Sequence, residues 1–393
     1  MKLNRQLNAL SVFRSILETP VVSNLQKLLY AIEEGSIDER LLRYGAFSKA
    51  LYAEGGNFTV FVKEFVEKDE NIYLTSKLYD QSISPSIEEC VQAELALLSQ
   101  LAQVSSAQLK PLMEYDGFLP GWETADLDLV SAYEAMIESL PVRGHGIFAK
   151  HRAFRVKDGK LVPVKNADGQ SINQLYGYQR ERNQVLENTR ALAEGKPASN
   201  VLLYGDAGTG KSSTIKACAN ACFDQGVRLV EFDKTQLEDI PSIMEQLYNY
   251  PLKFIFYIDD LTFNQNDDAF SALKGILEGN VISSSKNIAI YATSNRRHLI
   301  KESMEARMGN DLHLNDTLQE TMSLSARFGL TITFSKPEKD LYLEIVKNLA
   351  EEYGLQVEEA ELFRKAEAFA IRSNGRSPRT AKQFIQLVSI GIK

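Results

Sequence analysis

Apolar positions recur at helical spacing through residues 1–140. Ile87, Val91, Leu95, Leu98 and Leu101 share one face of the stretch SIEECVQAELALLSQLAQV, which predicts a helix turned toward a core. The N-terminal MKLNRQLNALSVFRSILETP breaks its apolar positions with Asn, Arg, Ser and Glu, so it predicts an amphipathic helix rather than a secretory leader. Residues 57–65, NFTVFVKEF, are the one strand-like piece of this region, and residues 117–122, with Pro120, mark a loop. Two β runs, AFRVK and KLVPV, flank Asp158-Gly159 and predict a hairpin linking two domains.

After Asp168-Gly169 the pattern alternates short β runs with helices, as a parallel α/β sheet requires. Strands are expected over residues 201–204, 228–232, 254–258, 288–292 and 330–334. From Pro337 the chain is helical again, with Leu341, Ile345, Val346 and Leu349 at helical spacing. The expected organisation is a mostly helical N-terminal domain (1–142), a basic hairpin linker (143–170), a large α/β subdomain (171–336) and a small helical subdomain (337–393).

A chain of 393 residues, 44% apolar and 24% charged, is expected to fold throughout, into two or three domains. No apolar run approaches the ~20 residues that span a bilayer. Cys90, Cys218 and Cys222 are too few and scattered for a disulfide framework, which fits a reducing, cytoplasmic setting. Cys218 and Cys222 lack a nearby His or further Cys to complete a metal site, so they are read as buried thiols. A net charge of −8 argues against coating nucleic acid through the overall field. One local exception is basic: Arg143, Lys150, His151, Arg152, Arg155, Lys157, Lys160 and Lys165 face only Asp158 within residues 143–165. It suits a solvated linker, a phosphate contact or an interdomain surface.

The segment NVLLYGDAGTGKSS contains a complete P-loop: Gly205, Asp206, Ala207, Gly208, Thr209, Gly210, Lys211, Ser212 and Ser213. A strand leads in and a helix leads out, the context that lets backbone N–H groups and a helix N-terminus surround phosphates. Lys211 is expected at the β- and γ-phosphates of ATP and Ser212 on Mg²⁺. The strand FIFYIDD ends in two carboxylates. Asp259 is expected beside the hard, oxygen-preferring metal, and Asp260 where a base would orient or deprotonate the attacking water.

These motifs, in this order, resemble the AAA+ superfamily and, more narrowly, the bacterial ATPase family known as domain of unknown function 815, over residues 172–392. The resemblance implies an AAA+ P-loop core of five parallel strands with a C-terminal helical lid. It further implies that Asn295 of YATSNRRHL helps place water, that Arg327 of SLSARFG acts as an arginine finger toward a neighbouring subunit, and that Arg379 of GRSPRTAKQF contacts nucleotide from the lid. Tyr176, Gly177 and Tyr178 match the stretch that lines the adenine pocket; core packing is the competing reading for the tyrosines. Two departures stand out. Asp260 replaces the Glu of many relatives, which predicts slower hydrolysis, and the loop DKTQ after the second core strand lacks the aromatic grip of protein-threading unfoldases.

The leading expectation is a homo-oligomeric, Mg-dependent ATPase that remodels or loads a client, a protein or a nucleic acid. The alternatives are a slow or non-hydrolysing assembly switch and a nucleic-acid loader.

Overall fold

A computed structural model describes residues 2–165, 167, 169–262, 268–277, 286–295, 326–373 and 375–392. The chain divides into two compact units, Met1–Pro141 and Val142–Lys393. No helix among the described residues is long and apolar enough to cross a membrane.

Helices make up the first unit, among them α1 (Pro20–Glu34), α2 (Ile37–Ala53), α3 (Phe58–Lys68) and α4 (Pro85–Ala102). Its core collects Leu25, Phe47, Phe58, Val62, Leu95 and Leu98, all fully buried. Two expectations are corrected here. Residues 57–65 are not a strand: they open α3, whose first free amides gain a cap from Asn57, which accepts from the Val60 N–H. Phe58, Val62 and Val66 then fall on one buried stripe, and this packing overrides the β propensity of the Val and Phe residues.

The N-terminal segment is also not one helix. Its helix stops at Asn8, and a 3₁₀ turn follows over Arg14–Glu18. The buried Glu94 carboxylate of α4 accepts the N–H groups of Ser11, Val12 and Phe13 at 2.6, 3.2 and 2.9 Å. A carboxylate that satisfies three successive amides holds the chain in a turn where a helix would otherwise continue.

The second unit is built on one seven-stranded sheet. Its strands are β1 (Ala153–Lys157), β2 (Lys160–Pro163), β3 (Val201–Gly205), β4 (Val227–Phe232), β5 (Lys253–Ile258), β6 (Ile288–Ser294) and β7 (Leu330–Phe334), in the order β2-β1-β4-β5-β6-β3-β7. Five of them, β4-β5-β6-β3-β7, are parallel and match the expected strands to within two residues. The interior strands β5 and β6 are buried almost throughout, as a parallel sheet covered on both faces demands.

The basic hairpin forms, with Asp158 and Gly159 at positive φ in its turn. It is not a free connection, because β1 pairs in parallel with β4 and so extends the sheet. Arg228 on β4 accounts for the attachment. Fully buried, its guanidinium donates to the carbonyls of Phe148 (2.9 Å) and Arg143 (2.9 Å), which ties the approach to β1 down to the sheet. Burial pushes this guanidinium down to about 10.

Helix α5 (Gln179–Ala193) precedes β3, and α6 (Lys211–Ala221) follows it. The C-terminal helices α7 (Lys339–Glu352), α8 (Glu359–Arg372) and α9 (Pro378–Ser389) bury Ile345, Val346, Ala366, Ala381 and Ile385 against one another. Arg376, just before α9, grips Glu367 of α8 through Nε and Nη2 at 2.9 and 2.7 Å.

Candidate functional site

Three adjacent strands, β5, β6 and β3, deliver their C-terminal ends to one place, the crevice where open α/β sheets bind ligands. From β3 the chain enters the P-loop at Gly205. A Cβ on Gly205 would sit 2.2 Å from the Phe334 carbonyl oxygen of β7, and its φ of +134° is open to glycine alone. The Asp206 N–H donates to that same carbonyl (3.0 Å), and the Asp206 carboxylate accepts from the Lys336 N–H (2.9 Å). The phosphate loop is thereby braced on β7.

Lys211 opens α6 with its side chain buried inside the loop. Its ammonium donates to the carbonyls of Gly205 and Asp206, both at 2.8 Å, and to Asn295 Oδ1 at 3.1 Å. Burial pushes it below the usual lysine range, while Asp206, Asp260 and Asp259 pull the other way. Asn295, at the tip of β6, uses its other end to donate to Asp260 Oδ1 at 2.8 Å. One amide thus bridges the ammonium and the second carboxylate of FIFYIDD.

Asp259 collects hydrogen bonds on a single oxygen. Its Oδ1 accepts from Thr293 Oγ1 (2.6 Å), Ser212 Oγ (2.8 Å) and the Asp260 N–H (3.1 Å), and its second oxygen carries none of the three. Burial alone would raise this carboxyl, yet hydrogen bonds led by that from Thr293 hold it below the usual carboxylate range. Asp260 stands in the left-handed region, φ +50°, which Asp tolerates better than Glu. This gives a backbone reason for the shorter acid at that position.

The lid reaches the loop directly. The Arg379 N–H at the start of α9 donates to the Gly208 carbonyl at 3.2 Å. Gly177, at φ +74°, has Ile345 of α7 so close that a Cβ would lie 2.8 Å from its Cδ1. A cavity of about 800 Å³ runs between loop, strand ends and lid, and Tyr176, Tyr178, Lys211, Asp259, Asn295 and Arg379 are in its wall. The Tyr178 hydroxyl donates to the Ser335 carbonyl (2.6 Å) and its ring lies 5.2 Å from Phe334, so Tyr178 is anchored to the end of β7. Tyr176 packs on the lid core. Arg327 lies in the turn just before β7, half-buried.

Thr293 and Lys336 were not singled out from the sequence. Thr293 carried a readable signal: a hydroxyl two residues before Asn295 on the same strand points to the same face. Among the described residues no cluster of three or more His, Cys, Asp or Glu side chains could hold a metal by itself. Cys218 and Cys222 are buried thiols whose acidity burial suppresses, Cys218 up to about 12.

Strand order, glycine-rich loop and C-terminal helices make the second unit a parallel α/β core with a helical subdomain, as expected from the sequence. The chain belongs to the family described as Protein of unknown function (DUF815), which matches residues 149–391. No curated protein matches it. Among solved structures it is similar to Thermotoga maritima RuvB, a Holliday junction branch migration motor, at 16% identity over 56% of this chain and 63% of that one, with a TM-score of 0.38. The FIGL-1 AAA domain in complex with ADP gives 15% identity over 58% and 73% of the two chains, TM-score 0.39. Replication initiator DnaA, bound to AMPPCP and single-stranded DNA, gives 14% over 57% and 65%, TM-score 0.37. The chain therefore covers less than two thirds of the RuvB and DnaA chains.

Proposed function

We propose that this protein binds ATP with Mg²⁺ in the cavity between P-loop and lid and hydrolyses it, using the cycle to remodel or load a client. One observation carries the reading: a continuous hydrogen-bonded chain joins Lys211, Asn295 and Asp260 beside a second cluster of Ser212, Thr293 and Asp259. The first set has the groups that hold a terminal phosphate and its attacking water. The second has the oxygens that hold a hard cation.

Ser212 and Asp259 would hold the Mg²⁺. Their all-oxygen donor set fits, and the metal would neutralise charge on the phosphate oxygens. In this reading the Lys211 ammonium leaves the Gly205 and Asp206 carbonyls for the β- and γ-phosphates, exchanging neutral acceptors for charged ones. Asn295, released from Lys211, keeps its bond to Asp260 and orients the water. The water oxygen bonds to the γ-phosphorus, the bond from that phosphorus to the β,γ-bridging oxygen breaks, and Asp260 receives the water's proton. Arg379 contacts the nucleotide from the lid, so that lid position follows nucleotide state. Arg327 serves the site of a neighbouring copy, which makes the working form an oligomer.

Multiple-turnover phosphate release tests this. Wild type should turn over ATP with Mg²⁺, and Asp260→Asn should bind nucleotide yet lose turnover. Mixing Arg327→Ala with Lys211→Ala chains should recover turnover that neither shows alone. Wild type that binds ATP without releasing phosphate would favour the assembly switch, a reading to which the short Asp260 side chain lends support.

A further inference from the structure

Arg182 on α5 lines the nucleotide cavity and is only 4% exposed. Its Nη2 donates to Gln179 Oε1 at 3.1 Å, while Nε and Nη1 are shielded from water and have no acceptor among the described residues. A guanidinium buried with two nitrogens that have no acceptor is costly unless something supplies acceptors. By contrast the Lys211 ammonium, in the same wall, is bonded to two loop carbonyls and to Asn295.

Helix α5 packs against α6, but Arg182 makes no hydrogen bond to Lys211, Asp259, Asp260 or Asn295, the groups that define the phosphate end. The cavity wall also carries Leu175, Tyr176, Ile345 and Leu349, apolar and aromatic surface suited to a flat base, beside polar Gln174, Glu352 and Lys382. A buried, donor-rich side chain in a wall that also offers apolar and aromatic surface resembles a site that reads a base by its acceptors. Such selectivity is steep because the buried donors go unpaired when the acceptor is missing.

We propose that Arg182 is the base-reading residue of this site, donating through its unpaired guanidinium N–H groups to a ring-nitrogen acceptor of the bound purine. This rests on the nucleotide reading above and adds the basis of its selectivity. The bond to Gln179 is the one described hydrogen bond on the guanidinium, which leaves its remaining donors for a ligand.

The test compares binding of ATP with 1-deaza-, 3-deaza- and 7-deaza-ATP to the full chain by calorimetry, for wild type, Arg182→Met and Arg182→Lys. One analogue should bind wild type roughly tenfold more weakly than ATP, as expected for losing one bond to a charged donor. That penalty should vanish in Arg182→Met and persist in part in Arg182→Lys. Three analogues that bind wild type as ATP does would overturn the assignment. A penalty that survives in Arg182→Met, or an equal loss for all four nucleotides in that variant, would do so as well. Should Arg182→Met not fold, the wild-type series and Arg182→Lys decide alone. Inorganic tripolyphosphate separates the two readings: if neither it nor ATP binds, the nucleotide site itself is wrong, whereas tight binding of both with no deaza effect removes only the base reading.

Discussion

Replacing Thr293 by Val removes one hydroxyl and keeps the side chain's shape. That hydroxyl donates to Asp259 Oδ1 at 2.6 Å and accepts the Asp260 N–H at 3.0 Å. The N–H is not orphaned, because it also reaches Asp259 Oδ1 at 3.1 Å. The net loss is one hydrogen bond to a charged acceptor, worth about 1.5–3 kcal/mol when shielded. Asp259 is partly desolvated but keeps much of its surface in water, and screening brings the expected figure down to about 1 kcal/mol. One kcal/mol is roughly a fivefold change in affinity. Titration of Mg²⁺ against the protein with saturating ATP should therefore show a midpoint shifted upward roughly fivefold, with nucleotide affinity measured in EDTA unchanged. A midpoint equal to wild type would refute the placement of Asp259 as the metal-side carboxylate, and so would equal weakening with and without metal.

Asp260→Glu should be less stable in urea than Asp260→Asn by roughly 0.5–1 kcal/mol, because the left-handed backbone at φ +50° suits Asp and Asn better than Glu; equal midpoints would remove that explanation for the short acid. Gly205→Ala should lose about 3 kcal/mol or more, since its Cβ would meet the Phe334 carbonyl at 2.2 Å and the strand pair β3–β7 must part, and a near-native unfolding curve would contradict the close approach. Glu367→Gln breaks the two-pronged contact with Arg376, which holds the Glu367 carboxyl below its usual range. A depressed carboxylate stabilises above its ordinary titration range and loses that contribution as pH falls through its folded value. The variant should thus be about 1 kcal/mol less stable at pH 7, and the gap should close below about pH 4, whereas a gap constant with pH would assign the loss to packing.

The parallel core was legible because its strands are continuous apolar runs bounded by turns, and a strand buried on both faces must read that way. The phosphate loop was legible because glycine spacing and Lys211 are contiguous in sequence. What escaped was decided by distant partners. Residues 57–65 have the composition of a strand, and only the cap from Asn57 and the packing of Phe58, Val62 and Val66 make them a helix. Glu94 interrupts the N-terminal helix from more than eighty positions away, and Arg228 draws the expected linker hairpin into the sheet through carbonyls that no side-chain pattern reveals. For Thr293 the strand alternation showed a face shared with Asn295, but its partner Asp259, just past β5, meets it only once β5 and β6 pair.

Calorimetric titration of Mg·ATP into wild type and Lys211→Ala decides whether Lys211 belongs to a nucleotide site. Wild type should bind one nucleotide per chain. The variant, folded by circular dichroism because Lys211 is a ligand group rather than core, should lose about 2 kcal/mol, roughly thirtyfold in affinity, for want of a charge-assisted bond to the phosphates. Affinity in Lys211→Ala equal to that of wild type, or no heat of binding in wild type at all, would contradict the account.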